Sequence, residues 1–310
     1  MPRILSGVLP VIQTPFTTDD CIDGAGLARL VDWVFACGAA GCGTGMVSEI
    51  SRLTRDERVS LIEQLVRLTA GRGAVFAAVT AESTAQALDF ARAAELAGCD
   101  AVMVAPPLSS RVSERGMLTH FRTLIEAISL PVVVQDASGY VGQPIPLSVS
   151  VELLERYGRE RVLFKPEAAP LGTNLSLLRD ATAGQAKIFE GSGGIHLVDS
   201  YRRGIVGTMP GLDLLDAVAA LWRALEQGDY VTAYRLQLPI CAMISLEMQG
   251  GLDGFLAVEK YLLMKRGVMT NELRRSPYGW ELDTETRAEV DRLLELVDQS
   301  LRDGNRALPR

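Results

Sequence analysis

Short apolar runs alternate with longer amphipathic segments along most of the chain. Several of the runs are apolar almost throughout, which is typical of parallel strands that are covered by helices on both faces. A helical segment, or a connection long enough for one, follows each run. The candidate strands are Gly7–Thr14, Gly41–Val47, Val75–Thr80, Ala101–Ala105, Val132–Gln135, Val162–Lys165, Lys187–Glu190 and Ile205–Met209.

Helix start signals support this alternation. Thr54-Arg-Asp-Glu57 is a capping-box pattern ahead of Val59–Leu68, and Ser83 and Ser113 stand ahead of the next two amphipathic segments. The sequence has eight strand–helix units and no Gly-x-Gly-x-x-Gly motif. It therefore predicts an α/β fold of the (β/α)8 TIM-barrel type rather than a doubly wound sheet.

Four more segments with helical periodicity follow the eighth strand. They are Leu212–Gln227, Tyr230–Met248, Leu256–Arg266 and Thr284–Leu301. We predict a barrel over residues 1–228 and a C-terminal helical extension over residues 229–310, packed together as a single structural domain.

Composition narrows the class of protein. Of the 310 residues 48% are hydrophobic and 22% charged, which excludes disorder, and the net charge of −7 comes without a basic patch for nucleic acid. No apolar run is long enough to cross a membrane, and the N-terminus lacks a signal-peptide layout. The five cysteines contain no C-x-x-C pair and lie mostly in apolar stretches, so we expect buried free thiols in a cytoplasmic protein.

Lysine is rare in this chain and occurs only at positions 165, 187, 260 and 265, while arginine supplies the other basic residues. Lys165 ends the predicted sixth strand, at the mouth where barrel enzymes keep their active sites. A lysine amine can attack a carbonyl carbon, whereas arginine does not deprotonate. Lys165 is therefore a candidate for Schiff-base chemistry, and the competing interpretation is an ion pair with Glu167 or another carboxylate at the rim.

Four other strand ends carry small or polar residues. Gly43–Glu49 leaves the second strand and is predicted to enter a helix over Ile50–Arg58, so that its free N–H groups suit a carboxylate. Glycine turns follow strands seven and eight, where barrels also bind phosphate, but neither turn contains a lysine or arginine. Gln135 and Asp136 point in opposite directions, so only one of them can face the barrel interior.

Both histidines, His120 and His196, fall on predicted helices and lack a partner at i,i+4. A metal site built on them is not expected.

Taken together, these motifs resemble the dihydrodipicolinate synthase / N-acetylneuraminate lyase superfamily of class I aldolases and dehydratases. The order is a Gly/Thr turn with Glu49, Pro-Pro after strand four, Lys165 on strand six and glycine turns after strands seven and eight. The resemblance covers roughly residues 5–300. It implies that Lys165 forms the imine and that the protein is a homotetramer or homodimer.

The chain departs from the family pattern at three places. The turn usually read as Gly-Thr-Thr-Gly-Glu is Gly45-Met46-Val47-Ser48-Glu49 here, and the family's tyrosine at the end of strand five is Gln135. No tyrosine precedes Tyr140, so the partner-subunit tyrosine of the synthase is missing as well. These departures speak against dihydrodipicolinate synthase activity.

The strand ends Val-Gln-Asp-Ala and Phe-Lys-x-Glu look more like the branch that contains L-2-keto-3-deoxyarabonate dehydratase. This resemblance implies dehydration of a 2-keto-3-deoxy sugar acid through a Lys165 imine, with no metal or organic cofactor. The predicted catalytic residues are Lys165, Gln135 and Glu167, and Ser48 with a bound water, Tyr140 and the substrate carboxylate are alternatives to Glu167 for proton transfer. The predicted substrate-binding residues are Met46, Val47, Ser48, Gly191, Ser192 and Met209.

Three alternatives remain open from the sequence. The first is a pyruvate-releasing aldolase, or a synthase-like enzyme, on the same imine. The second is a non-catalytic barrel that binds keto acids, and the third is an enzyme of phosphorylated sugars that uses the two glycine turns.

Overall fold

The computed structural model describes residues 3–304 and contains eight short parallel strands, each followed by a helix. The strands are β1 (Gly7–Val8), β2 (Gly41–Gly43), β3 (Ala74–Ala78), β4 (Ala101–Val104), β5 (Val132–Asp136), β6 (Val162–Pro166), β7 (Phe189–Glu190) and β8 (Gly207–Thr208). The helices that follow them are α1 (Gly24–Ala36), α2 (Arg55–Thr69), α3 (Thr84–Ala97), α4 (Glu114–Ala127), α5 (Leu147–Tyr157), α6 (Leu171–Ala181), α7 (Leu197–Arg202) and α8 (Leu215–Glu226). Three further helices are α9 (Tyr230–Glu247), α10 (Gly251–Lys265) and α11 (Thr284–Gly304).

Parallel pairing closes the strands into a ring. One ladder runs β2-β3-β4-β5-β6 and another runs β1-β8-β7. Single parallel bridges, Val11 with Gly43 and Phe164 with Ile188, join the two ladders on both sides. The predicted (β/α)8 barrel with C-terminal helices is confirmed, and each predicted strand overlaps an observed one.

Strand alternation separates two apolar clusters. On β5 and β6, Val133 and Leu163 belong to the cluster inside the barrel, whereas Val132, Val134 and Phe164 pack outward against the helices. Because successive side chains point to opposite faces, the residues two positions after Val133 and Leu163 also face the interior. These two residues are Gln135 and Lys165.

A buried ion pair ties α10 to the turn after β2. Lys260 on α10 is fully buried and donates to Oε1 of Glu49 at 2.5 Å and to the carbonyl oxygens of Thr14 and Leu273. The other oxygen of Glu49 accepts the backbone N–H of Arg275 at 2.8 Å. The C-terminal helices therefore cover part of the barrel mouth in a defined position.

Some local expectations were wrong. Residues 46–48 form a short 3-10 turn and α2 begins at Arg55 behind the Thr54 cap, so no helix enters at Ile50. His196 precedes α7 as its N-cap instead of lying within it. Cys21 is exposed and Cys241 is partly exposed, whereas Cys37, Cys42 and Cys99 are buried, and all five thiols are free.

Within the described residues no helix is long and apolar enough to span a bilayer. The predicted domain ranges include residues 1–2 and 305–310, which lie outside the described part of the chain.

Candidate active site

A cavity of about 640 Å³ opens at the C-terminal ends of the strands. The turn after β2, the loops after β5 to β8, and α10 line it. Of the predicted site residues, those that line it are Lys165, Glu167, Met46, Val47, Gly191, Ser192 and Met209. A second cavity of about 310 Å³ lies near the start of β1 and contains no lysine among its lining residues.

Lys165 lies in the wall of the 640 Å³ cavity and is only 3% exposed. Gly191, after β7, makes room for it, since a Cβ at position 191 would lie 2.4 Å from Cε of Lys165 and 2.7 Å from Cγ of Glu167. Such distances do not occur between real side chains. The glycine in the turn after β7 is therefore required for the two side chains to stand where they do.

The carboxylate of Glu167 is the nearest charged partner of this lysine. Its Oε1 lies 3.2 Å from Nζ of Lys165, so the ion pair considered from the sequence is present. Burial raises the pKa of the Glu167 carboxyl above its usual range, and Lys165, Gln135 and Tyr140 act in the opposite direction. A carboxylate with a raised pKa next to an amine is suited to proton transfer, because it can both accept and return a proton.

Gln135 and Tyr140 complete a small network around Glu167. Nε2 of Gln135 donates to Oε2 of Glu167 at 2.6 Å and to the Tyr140 hydroxyl at 3.2 Å. The hydroxyl of Tyr140 lies 3.3 Å and 3.2 Å from the two oxygens of Glu167. Although 38% of the Tyr140 surface is exposed, enclosure of its hydroxyl end, followed by the charge of Glu167, raises its pKa well above the usual range.

Asp136 holds the loop that carries Tyr140. It faces away from the barrel interior, and its carboxylate accepts the N–H groups of Ser138 at 3.0 Å and Ile145 at 2.9 Å. Both ends of the loop are thereby fixed to the end of β5. Gln135 faces the barrel interior, which answers the question of orientation that the sequence left open; it contacts Glu167 but does not itself line the cavity.

In the turn after β2, the side chain and the backbone have different roles. The Ser48 hydroxyl donates to the carbonyl of Ile12 and accepts the N–H of Gly45 at 3.0 Å, and Ser48 is not among the cavity-lining residues. Met46 and Val47 do line the cavity, and within residues 3–304 their N–H groups reach no acceptor. The hydroxyl shapes the turn, and the two N–H groups that no acceptor of the described chain takes belong to cavity-lining residues.

The turns after β7 and β8 are held together by a buried carboxylate. Glu190 accepts the N–H of Ser192 at 2.8 Å with one oxygen, and the hydroxyl of Thr208 at 2.7 Å with the other. The Ser192 hydroxyl also donates to Glu190. Ser192 and Met209 reach the cavity from this fixed base.

Sequence reasoning missed several polar groups of the cavity. Arg203, at the end of α7, lines the cavity, donates to Asp199 at 2.8 Å and donates to Ser176 at 2.7 Å. Glu259 on α10 also lines the cavity. The sequence did contain a signal for Glu259: two adjacent charged residues, Glu259 and Lys260, stand within an apolar helical run. Burying a charge is costly unless it is paired, so such residues indicate a specific contact or a site.

The arrangement brings a buried primary amine, a carboxylate with a raised pKa and a phenol hydroxyl to one point of a cavity. Within residues 3–304 no three or more His, Cys, Asp or Glu side chains are grouped to hold a metal ion. Lys260, the other buried lysine, is enclosed by three oxygen acceptors and is not in the cavity wall. Lys165 is therefore the amine available to a ligand.

Comparisons with known proteins agree on one family. The sequence model of the protein family described as "Dihydrodipicolinate synthetase family" matches residues 4–297. The 4-hydroxy-tetrahydrodipicolinate synthase of Cereibacter sphaeroides is 29% identical over 304 residues, covering 93% of this chain and 97% of the relative. That of Methanosarcina mazei is 28% identical over 247 residues, covering 78% of this chain and 82% of the relative.

The crystal structure of dihydrodipicolinate synthase from Rhodopseudomonas palustris superposes with a TM-score of 0.84. It is 28% identical, and the match covers 94% of this chain and 97% of that one.

Proposed function

This chain belongs to the dihydrodipicolinate synthetase family, whose members are Schiff-base lyases, and on that premise we propose that it dehydrates a 2-keto-3-deoxy sugar acid through an imine on Lys165. The observation that carries the proposal is the contact of Lys165 with Glu167, which Gln135 and Tyr140 hold in place. The catalytic and binding roles given below are parts of the same proposal.

The keto acid enters with its carboxylate toward the turn after β2. The free N–H groups of Met46 and Val47 are suited to that charge, since backbone donors need no further reorganisation to bind it. The Lys165 amine attacks the C2 carbonyl, water leaves, and a protonated imine forms. The protonated imine acidifies the C3 hydrogens, because it can accept the electron pair that a C3–H bond leaves behind when its proton is removed.

Glu167 removes a C3 proton and leaves an enamine. The enamine expels the C4 hydroxyl, which takes a proton and departs as water, so a conjugated imine remains. In a five-carbon substrate a proton then moves from C5 to C3, which produces an enol that becomes the C5 aldehyde. Hydrolysis of the imine restores Lys165 and releases a keto-acid semialdehyde.

Gln135 has no titratable group and acts as a positioning residue. Its amide holds Oε2 of Glu167 at 2.6 Å, leaving Oε1 on the side of Lys165. Tyr140 donates to the same carboxylate and supplies a second proton-bearing group.

A second candidate function is aldol cleavage on the same imine with release of pyruvate. The family's tyrosine is absent from the end of β5, which favours dehydration. However, the hydroxyl of Tyr140 approaches Glu167 from the following loop, and a base for the departing hydroxyl proton is what cleavage requires. Identification of the product therefore distinguishes dehydration from cleavage.

Borohydride reduction tests the proposal directly. The intact mass of the protein is measured after reduction with pyruvate and with 2-keto-3-deoxy pentonates and hexonates. The same measurement is made for Lys165→Arg and for Lys187→Arg, whose lysine pairs with Glu160 at 2.6 Å outside the cavity. We expect an adduct in the wild type and in Lys187→Arg, but not in Lys165→Arg.

The substrate that is trapped best is then assayed for semialdehyde and for pyruvate. Semialdehyde supports the dehydratase, and pyruvate together with an aldehyde supports the aldolase. An enzyme that gives no adduct with any keto acid would overturn the Schiff-base proposal.

A further inference from the structure

The wall of the cavity formed by α10 carries a buried carboxyl group to which the proposed reaction assigns no step. Glu259 is 2% exposed and lines the same cavity as Lys165. The other α10 side chains in that wall, Leu252 and Phe255, are apolar. A Cβ on Gly211 would lie 2.4 Å from Oε1 of Glu259, so the glycine after β8 leaves the space in which this carboxyl stands.

Further buried polar groups surround Glu259. Gln13 is fully buried, its Nε2 donates to Oε2 of Glu259, and its own Oε1 has no partner within the described residues. Asp213 is also close, with Oδ1 at 2.9 Å from the same Cβ point on Gly211. Both oxygens of the fully buried Glu247, which is close to Asp213, lack a donor in the described part of the chain. Buried polar atoms without partners are rare in proteins and call for an explanation.

Protons on the carboxyl groups explain these orphaned oxygens better than a metal ion. No set of acidic side chains in residues 3–304 has an arrangement that could hold a metal. Burial, followed by the charge of Asp213, raises the pKa of Glu259 and of Glu247 well above the usual range, and burial raises that of Asp213 to about 6. A neutral carboxyl group can donate a hydrogen bond, which an ionised one cannot.

We propose that Glu259 is a specificity-determining residue that hydrogen-bonds a hydroxyl group on the tail of the substrate. This inference rests on the proposed function and names the part of the substrate that the α10 wall recognises. Lys165 and the turn after β2 account for the keto-acid end, and the same cavity is also lined by Leu252, Phe255 and Glu259 of α10. A hydroxyl against an otherwise apolar wall needs a polar partner, and Glu259 supplies it.

The test compares three keto acids that differ only in the tail. Pyruvate has no tail, 2-oxopentanoate has an apolar tail, and 2-keto-3-deoxypentonate carries hydroxyl groups on a chain of the same length. The concentration dependence of borohydride-trapped imine is measured for each compound. The selectivity is the affinity for the hydroxylated acid divided by that for 2-oxopentanoate.

Three variants are compared with the wild type. Glu259→Leu removes the polar group and should lower the selectivity by about tenfold or more. Glu259→Gln keeps a neutral donor of the same shape and should restore most of it. Glu247→Gln is the matched control, because Glu247 is a buried acid of the same group that does not line the cavity, and it should keep the selectivity of the wild type.

The possible results separate the two proposals. If Glu259→Leu traps pyruvate, and is therefore folded, but keeps the selectivity of the wild type, the role of Glu259 is overturned and the Schiff-base function stands. If Glu259→Leu traps neither pyruvate nor the longer acids, the test rests on Glu259→Gln. A Glu259→Gln protein that traps pyruvate, and is therefore folded, but has lost the selectivity would contradict the proposal that Glu259 acts as a neutral donor. If the wild type traps no keto acid, both proposals fail together.

Discussion

The hydroxyl of Tyr140 lies 3.2 Å from Oε2 of Glu167, although one residue belongs to the loop after β5 and the other directly follows β6. The same carboxylate contacts Nζ of Lys165 through Oε1. A carboxylate that is shared by an amine and a phenol can relay protons between them, because it changes charge with a small movement of the proton. The predictions below test this group and the structure that supports it.

Replacing Glu167 by Gln should lower kcat by about 10²–10⁴-fold, since the variant keeps the shape of the side chain and loses the base. The pH profile should change as well. The folded pKa of Glu167 is raised, so the wild-type rate should fall as the pH drops through that raised value, where the base becomes protonated. Glu167→Gln should lack this acid limb. Equal acid limbs in both proteins, measured by steady-state kinetics, would assign the base elsewhere.

Tyr140→Phe removes only the hydroxyl of this side chain. We expect kcat to fall by about tenfold to a hundredfold, because Glu167 loses a neighbouring group that can exchange a proton with it. The control is Tyr157→Phe, since that tyrosine bonds a surface carboxylate, Glu126, outside the cavity. The ratio of semialdehyde to pyruvate is measured in the same assay. A Tyr140→Phe enzyme with wild-type kcat and product ratio would exclude Tyr140 from the chemistry.

Introducing a Cβ at position 191 should displace Lys165 and Glu167, because the added atom would lie 2.4 Å and 2.7 Å from carbons of their side chains. We expect the rate of imine formation with pyruvate to fall by about a hundredfold in Gly191→Ala, as for misplaced reacting groups. Gly116→Ala on α4 is the control, since its nearest contact would be an ordinary 3.4 Å. Equal trapping rates in the two variants would show that the site tolerates the added atom.

Lys260 should matter for stability rather than for chemistry. Lys260→Met leaves the buried carboxylate of Glu49 without its cation, which costs about 3–5 kcal/mol in the free energy of unfolding. Lys265→Met on the same helix breaks only an exposed pair with Asp291 and should cost about 1 kcal/mol or less. Urea unfolding measures both. Similar losses in the two variants would contradict the structural role given to the buried pair.

The buried acids around Glu259 should make stability depend on pH. Their folded pKa values are raised, to about 6 for Asp213 and well above the usual range for Glu247 and Glu259, so the folded state binds more protons than the unfolded state. Their stabilising contribution is therefore present at low pH, below the unfolded pKa values, and is lost as the pH rises through the folded ones. Lys260 and Arg266 are the cations that act on this group of acids and oppose the shift.

Glu247→Gln should for this reason raise the melting temperature more at about pH 8.5 than at about pH 5, by about 2–4 °C for each kcal/mol that is relieved. The exposed glutamate Glu155 provides the control variant Glu155→Gln, which should show no such difference. A gain that is the same at both pH values would mean that Glu247 is not protonated on folding.

The periodicity of the chain was sufficient to predict the barrel, because parallel strands buried on both faces must be apolar and must be separated by crossover helices. Eight such units are readable in order, and each predicted strand overlaps an observed one. Strand ends were less accurate: β1 was predicted over Gly7–Thr14 and is observed over Gly7–Val8. A strand ends where its hydrogen bonds to the neighbouring strands end, and the register of that pairing cannot be read from a single sequence.

Lys165 and Glu167 could be found from the sequence, because a rare lysine at the end of a strand has a fixed place at the barrel mouth. Tyr140 could be named only as one of several proton-transfer candidates, since the path of its loop depends on the contacts of Asp136 with Ser138 and Ile145. The Ser48 hydroxyl looked available for a ligand, yet the carbonyl of Ile12 takes it.

The sequence by itself determined the barrel, the C-terminal helices and the place of the amine, because these follow from local periodicity and from strand direction. The tertiary structure decided which side chains meet. Glu259 reaches the cavity only because α10 packs beside Gly211 in the turn after β8, and Lys260 is bound to Glu49 across 211 positions of the chain. Contacts between distant segments depend on packing, and packing is set by the whole chain at once rather than by any one stretch of it.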